Sequence, residues 1–266
     1  IHAEALATDP RVALLTFIGS ARVGWMLRRK LSPGTRCILE HGGVAPVIVH
    51  DDADVDAAAT SLAKGAFYHA GQVCVSVQRI FAHQNIANAL TEKLAEIAED
   101  LVLGDPLGGT TDVGPLIRRG EVERVDQWVK AAVRFGAKVC CGGEPFGPRF
   151  YRPTVLTHVP NNCTISREEI FGPVVAIYSF KDESEAFQQA NSLNYAFQAA
   201  VFSEDLGKIT RAFNALDASA IIVNDHTAFR TDWMPFAGLK QAGLGVGGSA
   251  DSVRAMQVEK MLVLLT

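Results

Sequence analysis

Apolar residues in this chain fall into short continuous runs that alternate with longer stretches whose apolar positions recur every three or four residues, the rhythm of an α/β protein. A strand-length run at 12–17 leads through Gly19 and Ser20 into a segment where Val23, Met26, Leu27 and Lys30 sit at helical spacing, with Ser20 as its N-cap. Runs at 37–40 and 46–49 predict two more strands, separated by His41-Gly42-Gly43. In a βαβ arrangement the ligand edge lies at the carboxyl ends of the strands, where Gly19, Ser20 and Glu40 fall.

Asp51, Asp52 and Asp54 enrich the start of a further helix, whose apolar face is Val55, Ala58, Ala59, Leu62, Ala63 and Ala66. Gly71 ends it and leaves Gln72-Val73-Cys74 in the turn that follows. Residues 75–81 read as helix or strand, 86–97 and 120–135 as amphipathic helices, and 138–141 as a strand. The Gly- and Pro-rich stretch 142–150 is a loop. Beyond it, strands at 155–156, 174–178, 197–202 and 221–223 alternate with helices near 182–190 and 206–216. Five glycines within 238–248 mark a loop or crossing, and the apolar run 260–265 reads as an edge strand seeking a sheet.

Composition narrows the function class. A formal charge of −4 gives no general attraction to nucleic acid or anionic membrane, and the one basic cluster, Arg28-Arg29-Lys30, reads as a solvated helix end. No apolar run reaches the ~20 residues of a membrane helix. The five cysteines, Cys37, Cys74, Cys140, Cys141 and Cys163, are odd in number and lack C-x-x-C pairs. They favour a reducing, cytoplasmic setting over a disulfide framework. The chain starts at Ile1 without a Met or a secretion signal, so a piece of something longer is expected.

Four groups of residues could carry chemistry. Cys74 sits in a turn where free backbone N–H groups could surround its sulfur and an oxygen turning negative beside it, though the local sequence by itself favours an inert buried thiol. Glu40, at the end of an apolar strand, suits a sheltered general base or a capping carboxylate. Glu168 and Glu169 with Phe171 before Gly-Pro place carboxylates and a flat ring at a fixed turn. His226, Phe229, Arg230, Trp233 and Phe236 resemble a pocket wall or a core loop.

Together these groups match one pattern. F-I-G-S at 17–20, L-E-H-G-G at 39–43, D-D-A-D-V-D at 51–56, G-Q-V-C at 71–74, E-E-I-F-G-P-V at 168–174 and P-F-A-G-L-K at 235–240 resemble the aldehyde dehydrogenase superfamily in order and spacing. The resemblance implies an α/β fold in three parts: the last part of a Rossmann-type cofactor domain (1–42), an aldehyde dehydrogenase-like catalytic domain (43–238), and a return crossing with a C-terminal oligomerisation strand (239–266). It therefore implies the C-terminal part of a parent enzyme, without the upstream half that should carry the oxyanion-hole Asn, a Lys and the adenosine-side contacts. The chain alone is expected to be inactive.

The resemblance also implies roles. Cys74 is the nucleophile, Glu40 the general base, Glu169 the holder of the nicotinamide ribose hydroxyls, Phe171 the ring beside the nicotinamide, and Gly19 with Ser20 the pyrophosphate contact at a helix N-terminus. Phe236 matches a wall of the substrate tunnel, where His226 or Arg230 could meet an anionic group. The implied reaction oxidises an aldehyde to an acid with NAD or NADP through a thiohemiacetal and a thioester. Small hydroxylated or anionic aldehydes are favoured, and the protein is expected to be a homo-oligomer, dimer or tetramer. The other reading is a non-enzymatic structural or interaction protein derived from a dehydrogenase. Two local departures stand out: His41 replaces the usual apolar residue after Glu40, and Gly247-Gly248 stand where many relatives carry an acid of the proton relay.

Overall fold

The computed structural model describes residues 2–266. Its centre is a seven-stranded sheet in the order Ala220–Val223, Gln198–Phe202, Ala45–Val49, Val77–His83, Val174–Phe180, Thr154–Thr157, Lys138–Cys141. The first six strands run parallel and the last is antiparallel. Parallel strands need both faces covered, which is why the middle strands are apolar almost without alternation: Val47, Ile48, Val49, Ile80 and Phe81 are all buried.

Helix Val55–Phe67 covers one face. Asp54 caps it by accepting from the N–H groups of Asp56 and Ala57, a cap worth about 1 kcal/mol. Its Ala58, Ala59, Leu62, Ala63 and Ala66 enter the main core with Leu90 and Leu94 of helix Ala87–Asp100. On the other face Ile48, Phe81, Ala199 and Val201 pack with Phe187 of helix Glu183–Asn191 and Ala212 of helix Leu206–Ala215.

A separate three-stranded sheet pairs Leu14–Ile18 parallel with Arg36–Glu40, and Arg36–Glu40 antiparallel with Gly243–Leu244. Helix Ala21–Lys30 follows the first strand, and Ser20 is its N-cap residue with no side-chain cap hydrogen bond.

The expected fold class is corrected here. The body is a complete seven-stranded, Rossmann-like α/β sheet, not a catalytic domain appended to the last part of a cofactor domain. The apolar run expected as an oligomerisation strand pairs with no strand among the described residues and is exposed from Met261 to Leu265. Periodicity could not reveal the architecture of the body, because which sheet a strand joins depends on contacts distant in sequence. Smaller differences have local causes. The 75–81 ambiguity resolves as strand Val77–His83, since it is hydrogen-bonded on both edges. The loop 142–150 contains the ribbon Pro145–Phe146 with Phe150–Tyr151, and 238–248 supplies Leu239–Lys240 and Gly243–Leu244 to two sheets. Helices His2–Ala7 and Ser249–Met256 carry too little periodicity to be read. No helix among the described residues is long and apolar enough to cross a membrane.

Candidate active site

The turn carrying Cys74 is held in an unusual backbone. Helix Val55–Phe67 runs into Tyr68–Gly71, where His69 (φ 50°), Ala70 (φ 56°) and Gly71 (φ 68°) are successively left-handed. Such strain at non-glycine residues persists only where the surroundings over-determine it. At Gly71 a Cβ would lie 2.2 Å from the carbonyl oxygen of Gly172, so only glycine lets the nucleophile turn touch the turn that follows Glu169. Gln72 pins the same turn, its Oε1 accepting from the Ile117 N–H at 2.8 Å while its Nε2 donates to the His69 and Pro115 carbonyls. The Gly43 N–H donates to the Cys74 carbonyl at 3.1 Å, and the buried Thr227 hydroxyl donates to the Val75 carbonyl at 2.6 Å.

Cys74 then faces a cavity of about 870 Å³. Gly19, Ser20, Glu40, Glu169 and Phe171 line it too, so six of the nine residues to which the resemblance gives roles meet in one place. Glu40 arrives from the carboxyl end of the small sheet, opposite Ile18 in register. Cys74 and Glu169 arrive from the segments entering the amino ends of strands Val77–His83 and Val174–Phe180. The site lies where the two sheets face each other.

The other three residues stand beside it. Phe236 is buried against Phe197, with ring centroids 4.5 Å apart, in a cluster that also packs Val73 and Cys74. The Arg230 guanidinium lies 4.1 Å from the Phe236 ring centroid, and its charge opposes the upward shifts of both Glu40 and Cys74. His226 turns away into packing: its ring adjoins Gly65 and Tyr68, and its Nδ1 accepts from the Ala228 N–H.

Four cavity residues, Arg22, Glu121, Arg124 and Trp128, escaped the sequence reading. Glu121 and Arg124 project from the first turns of helix Arg119–Arg134; Arg124 donates to Glu121 and to the Ile170 carbonyl and stacks on Trp128, while its Nη1 is buried without a partner. An i,i+3 ion pair on an amphipathic helix looks like ordinary surface until the fold turns that face inward.

Electrostatics sort the groups. Burial, and then the charges of Glu40 and Glu169, push the Cys74 thiol up to about 12, with its own backbone N–H and Arg230 pulling the other way. Burial also lifts Glu40 above the ordinary carboxylate range. The shift at Cys74 disfavours the thiolate, and iodoacetamide should alkylate Cys74 slowly at neutral pH and about tenfold faster for each pH unit upward. A rate flat with pH would show a thiolate already formed.

Glu169 is pushed by burial up to about 7, opposed by Arg124 and the Gly43 N–H. Its folded-state value lies above the reference 4.5, so the folded state holds this proton more tightly. The associated stability is full below pH 4.5 and is lost as pH rises through about 7, a loss of about 3 kcal/mol. Glu169→Gln should thus raise unfolding stability at about pH 8 by that order and leave it unchanged at about pH 4. Urea denaturation at the two pH values checks this.

A half-buried thiol opposite a sheltered carboxylate, on an α/β scaffold with an open helix N-terminus in the same cavity, defines the class. Comparison with known proteins agrees: the aldehyde dehydrogenase family model matches residues 2–262, and the chain belongs to that family. It is similar to a 3-sulfolactaldehyde dehydrogenase of Priestia megaterium, 42% identical over 262 residues covering 98% of this chain and 54% of that protein. The NADP(+) succinate-semialdehyde dehydrogenase of Escherichia coli is 35% identical over 247 residues, 92% of this chain and 51% of that protein. A crystal structure of glyceraldehyde-3-phosphate dehydrogenase GapN from Methanocaldococcus jannaschii complexed with NADP, 36% identical, superposes with a TM-score of 0.92 over 96% of this chain and 55% of that one.

The chain spans about half the length of the curated relatives it matches. The expectation of a C-terminal part of the family is corrected to what the matches cover, which is family fold over nearly all 266 residues. Motifs alone could not measure that extent, because they sample only short segments of the chain.

Proposed function

We propose that the protein oxidises an aldehyde to a carboxylic acid with NAD or NADP through a covalent intermediate on Cys74. The observation that carries this reading is the convergence of Cys74, Glu40, Glu169, Phe171 and the helix start at Gly19-Ser20 on one cavity. The cofactor-binding residues suit a dinucleotide. One carboxylate oxygen of Glu169, Oε1, is buried without a partner, as an acceptor for ribose hydroxyls would be. A Cβ on Gly42 would lie 1.6 Å from that oxygen, so glycine there leaves the carboxylate its room. Ser20 leaves its hydroxyl unused at the N-terminus of a ten-residue helix, a position suited to a pyrophosphate.

The Cys74 sulfur, once deprotonated, attacks the aldehyde carbon, and the carbonyl π pair becomes an alkoxide facing the Cys74 backbone N–H. Nicotinamide, when bound, supplies the acceptor for the hydride that leaves this carbon. The carbonyl re-forms as a thioester on Cys74. Glu40 takes a proton from water, the water oxygen bonds to the acyl carbon, and the carbon–sulfur bond breaks to return the thiolate. Burial raises Glu40's basicity for this step. Phe171, left-handed at φ 48° and 41% exposed, holds its ring at the cavity mouth. Mass spectrometry of protein mixed with aldehyde and dinucleotide tests the reading: an acyl adduct on Cys74 supports it, and an unlabelled Cys74 in folded protein overturns it.

The favoured substrate is a small hydroxylated or anionic aldehyde, with Arg230 as the cation whose charge reaches the sulfur. Relatives named for sulfonated and carboxylated aldehydes support this choice. Arg230→Leu should raise the KM for a small carboxylated or phosphonylated aldehyde by about ten- to a hundredfold relative to propanal, because only the anion loses a charge-assisted hydrogen bond. Equal losses for both would assign Arg230 to the scaffold. The protein works as a homo-oligomer, a reading supported by the exposed apolar run at 261–265, and in the cytoplasm, supported by five free cysteines.

A further inference from the structure

The strand that leaves the nucleophile turn, Val77–His83, carries Gln78 four positions beyond Cys74. Gln78 is 4% exposed, and a buried amide must find its hydrogen bonds inside the protein. It finds all of them on one short segment. Its Nε2 donates to the carbonyls of Ile165 at 2.9 Å and Glu168 at 2.7 Å, while its Oε1 accepts from the Ile170 N–H at 3.0 Å. The Glu168 carbonyl and the Ile170 N–H belong to the two peptide groups that flank Glu169. Gln78 therefore grips the backbone on both sides of that residue.

The grip is specific to the cavity side of the fold. Arg79, next on the strand and also 4% exposed, turns the other way and donates to the carbonyls of Gln189 and Ala190 at the end of helix Glu183–Asn191. The Glu169 carboxylate has a buried oxygen with no partner, so its direction must come largely from the backbone that carries it. Downstream of Glu169 the same turn touches the nucleophile turn through the close approach of Gly172 to Gly71. One strand thus links both halves of the site: its approach holds the sulfur, and its second residue holds the carboxylate.

We propose that Gln78 is the positioning residue for Glu169: by fixing the peptide groups on either side of it, Gln78 sets where the cofactor ribose sits relative to the Cys74 sulfur. This rests on the assignment of Glu169 to the ribose hydroxyls made above. Gln78 touches neither cofactor nor substrate; it acts through Glu169.

The test uses Gln78→Leu, with Gln78→Glu as a second variant that keeps the acceptor for Ile170 and sets an acceptor against the two carbonyls in place of the donor. Arg79→Met is the control for loosening the same strand without touching the Glu169 turn. Both Gln78 variants should raise the KM for the dinucleotide by about tenfold, the effect of an unsatisfied buried group, and leave the KM for the aldehyde within about twofold. In a Glu169→Gln background the Gln78 substitutions should add nothing further, because the two residues act in series. Arg79→Met should lower thermal stability without changing the ratio of the two KM values.

A second arm needs no cofactor. Peptide-mapped iodoacetamide labelling of Cys74 should speed up severalfold in Gln78→Leu, as the Glu169 carboxylate whose charge raises the thiol shifts within the cavity they share, and stay unchanged in Arg79→Met. Equal changes in both KM values, full additivity with Glu169→Gln, or Cys74 labelling as slow as wild type would each overturn the proposal. A wild-type protein that forms no reduced dinucleotide with any aldehyde would instead overturn the proposed function, and the labelling arm would then decide the role of Gln78 by itself.

Discussion

Cys74→Ser should lower aldehyde-dependent formation of reduced dinucleotide by at least about a thousandfold and abolish acyl trapping, because a serine hydroxyl cannot take over the sulfur's role in that turn. The structure makes the assignment selective. Among the five cysteines only Cys74 lines the cavity with Glu40 and Glu169. Cys140 is exposed on the antiparallel edge strand, and Cys141 is buried with its thiol donating to the Pro153 carbonyl and pushed up to about 11 by burial. Stopped-flow absorbance of the reduced nicotinamide, with peptide mapping of the trapped adduct, provides the measurement. An adduct on Cys140 or Cys141, or turnover within tenfold of wild type, would remove Cys74 from the mechanism.

Glu40→Gln should separate the two halves of the reaction. Hydride transfer needs the thiolate and the bound dinucleotide, whereas release of the acid needs water to lose a proton. The variant should therefore give a burst of at most one equivalent of reduced dinucleotide per site, followed by a steady rate about a hundred- to ten-thousandfold below wild type. In the wild-type protein the steady rate should rise with pH through an ionisation above the ordinary carboxylate range, because burial raises Glu40 and only its ionised form accepts the proton. That ascending limb should disappear in the variant. Undiminished steady turnover by Glu40→Gln would end the assignment of Glu40 as the base.

Much of this protein was legible along the chain, where the causes are local. Helix Val55–Phe67 announces itself by three aspartates before an apolar stripe, and Asp54 caps it as that pattern requires. The parallel strands announce themselves as continuous apolar runs, since both faces are covered. Gly71 and Cys74 could be placed in a turn after a helix, and Glu40 at a strand end, from spacing alone. The resemblance of six short motifs to one family then pointed to the same residues that the fold brings around one cavity.

What tertiary structure decided is how distant segments meet. The rule that ligands sit at the carboxyl ends of parallel strands locates Glu40 and Gly19-Ser20 on the small sheet, but Cys74 and Glu169 approach from the amino ends of the large one. Only the placement of one sheet against the other makes them a single site. His41 shows the same dependence: read as an oddity beside Glu40, it is buried, its Nδ1 donates to the Gln241 carbonyl that also accepts from the Trp25 indole, and its ring fills the space against Gly24. That contact joins positions 200 apart in sequence. Glu121, Arg124 and Gln78 were silent for the same reason, since an ion pair on a helix or an amide in a strand acquires a role only from what the fold sets opposite it. Local sequence determined which elements form and which residues are chemically able, because those follow from propensity, periodicity and side-chain chemistry; packing between elements determined which of those residues share a cavity, how their acidities shift, and which neutral side chains hold them in place.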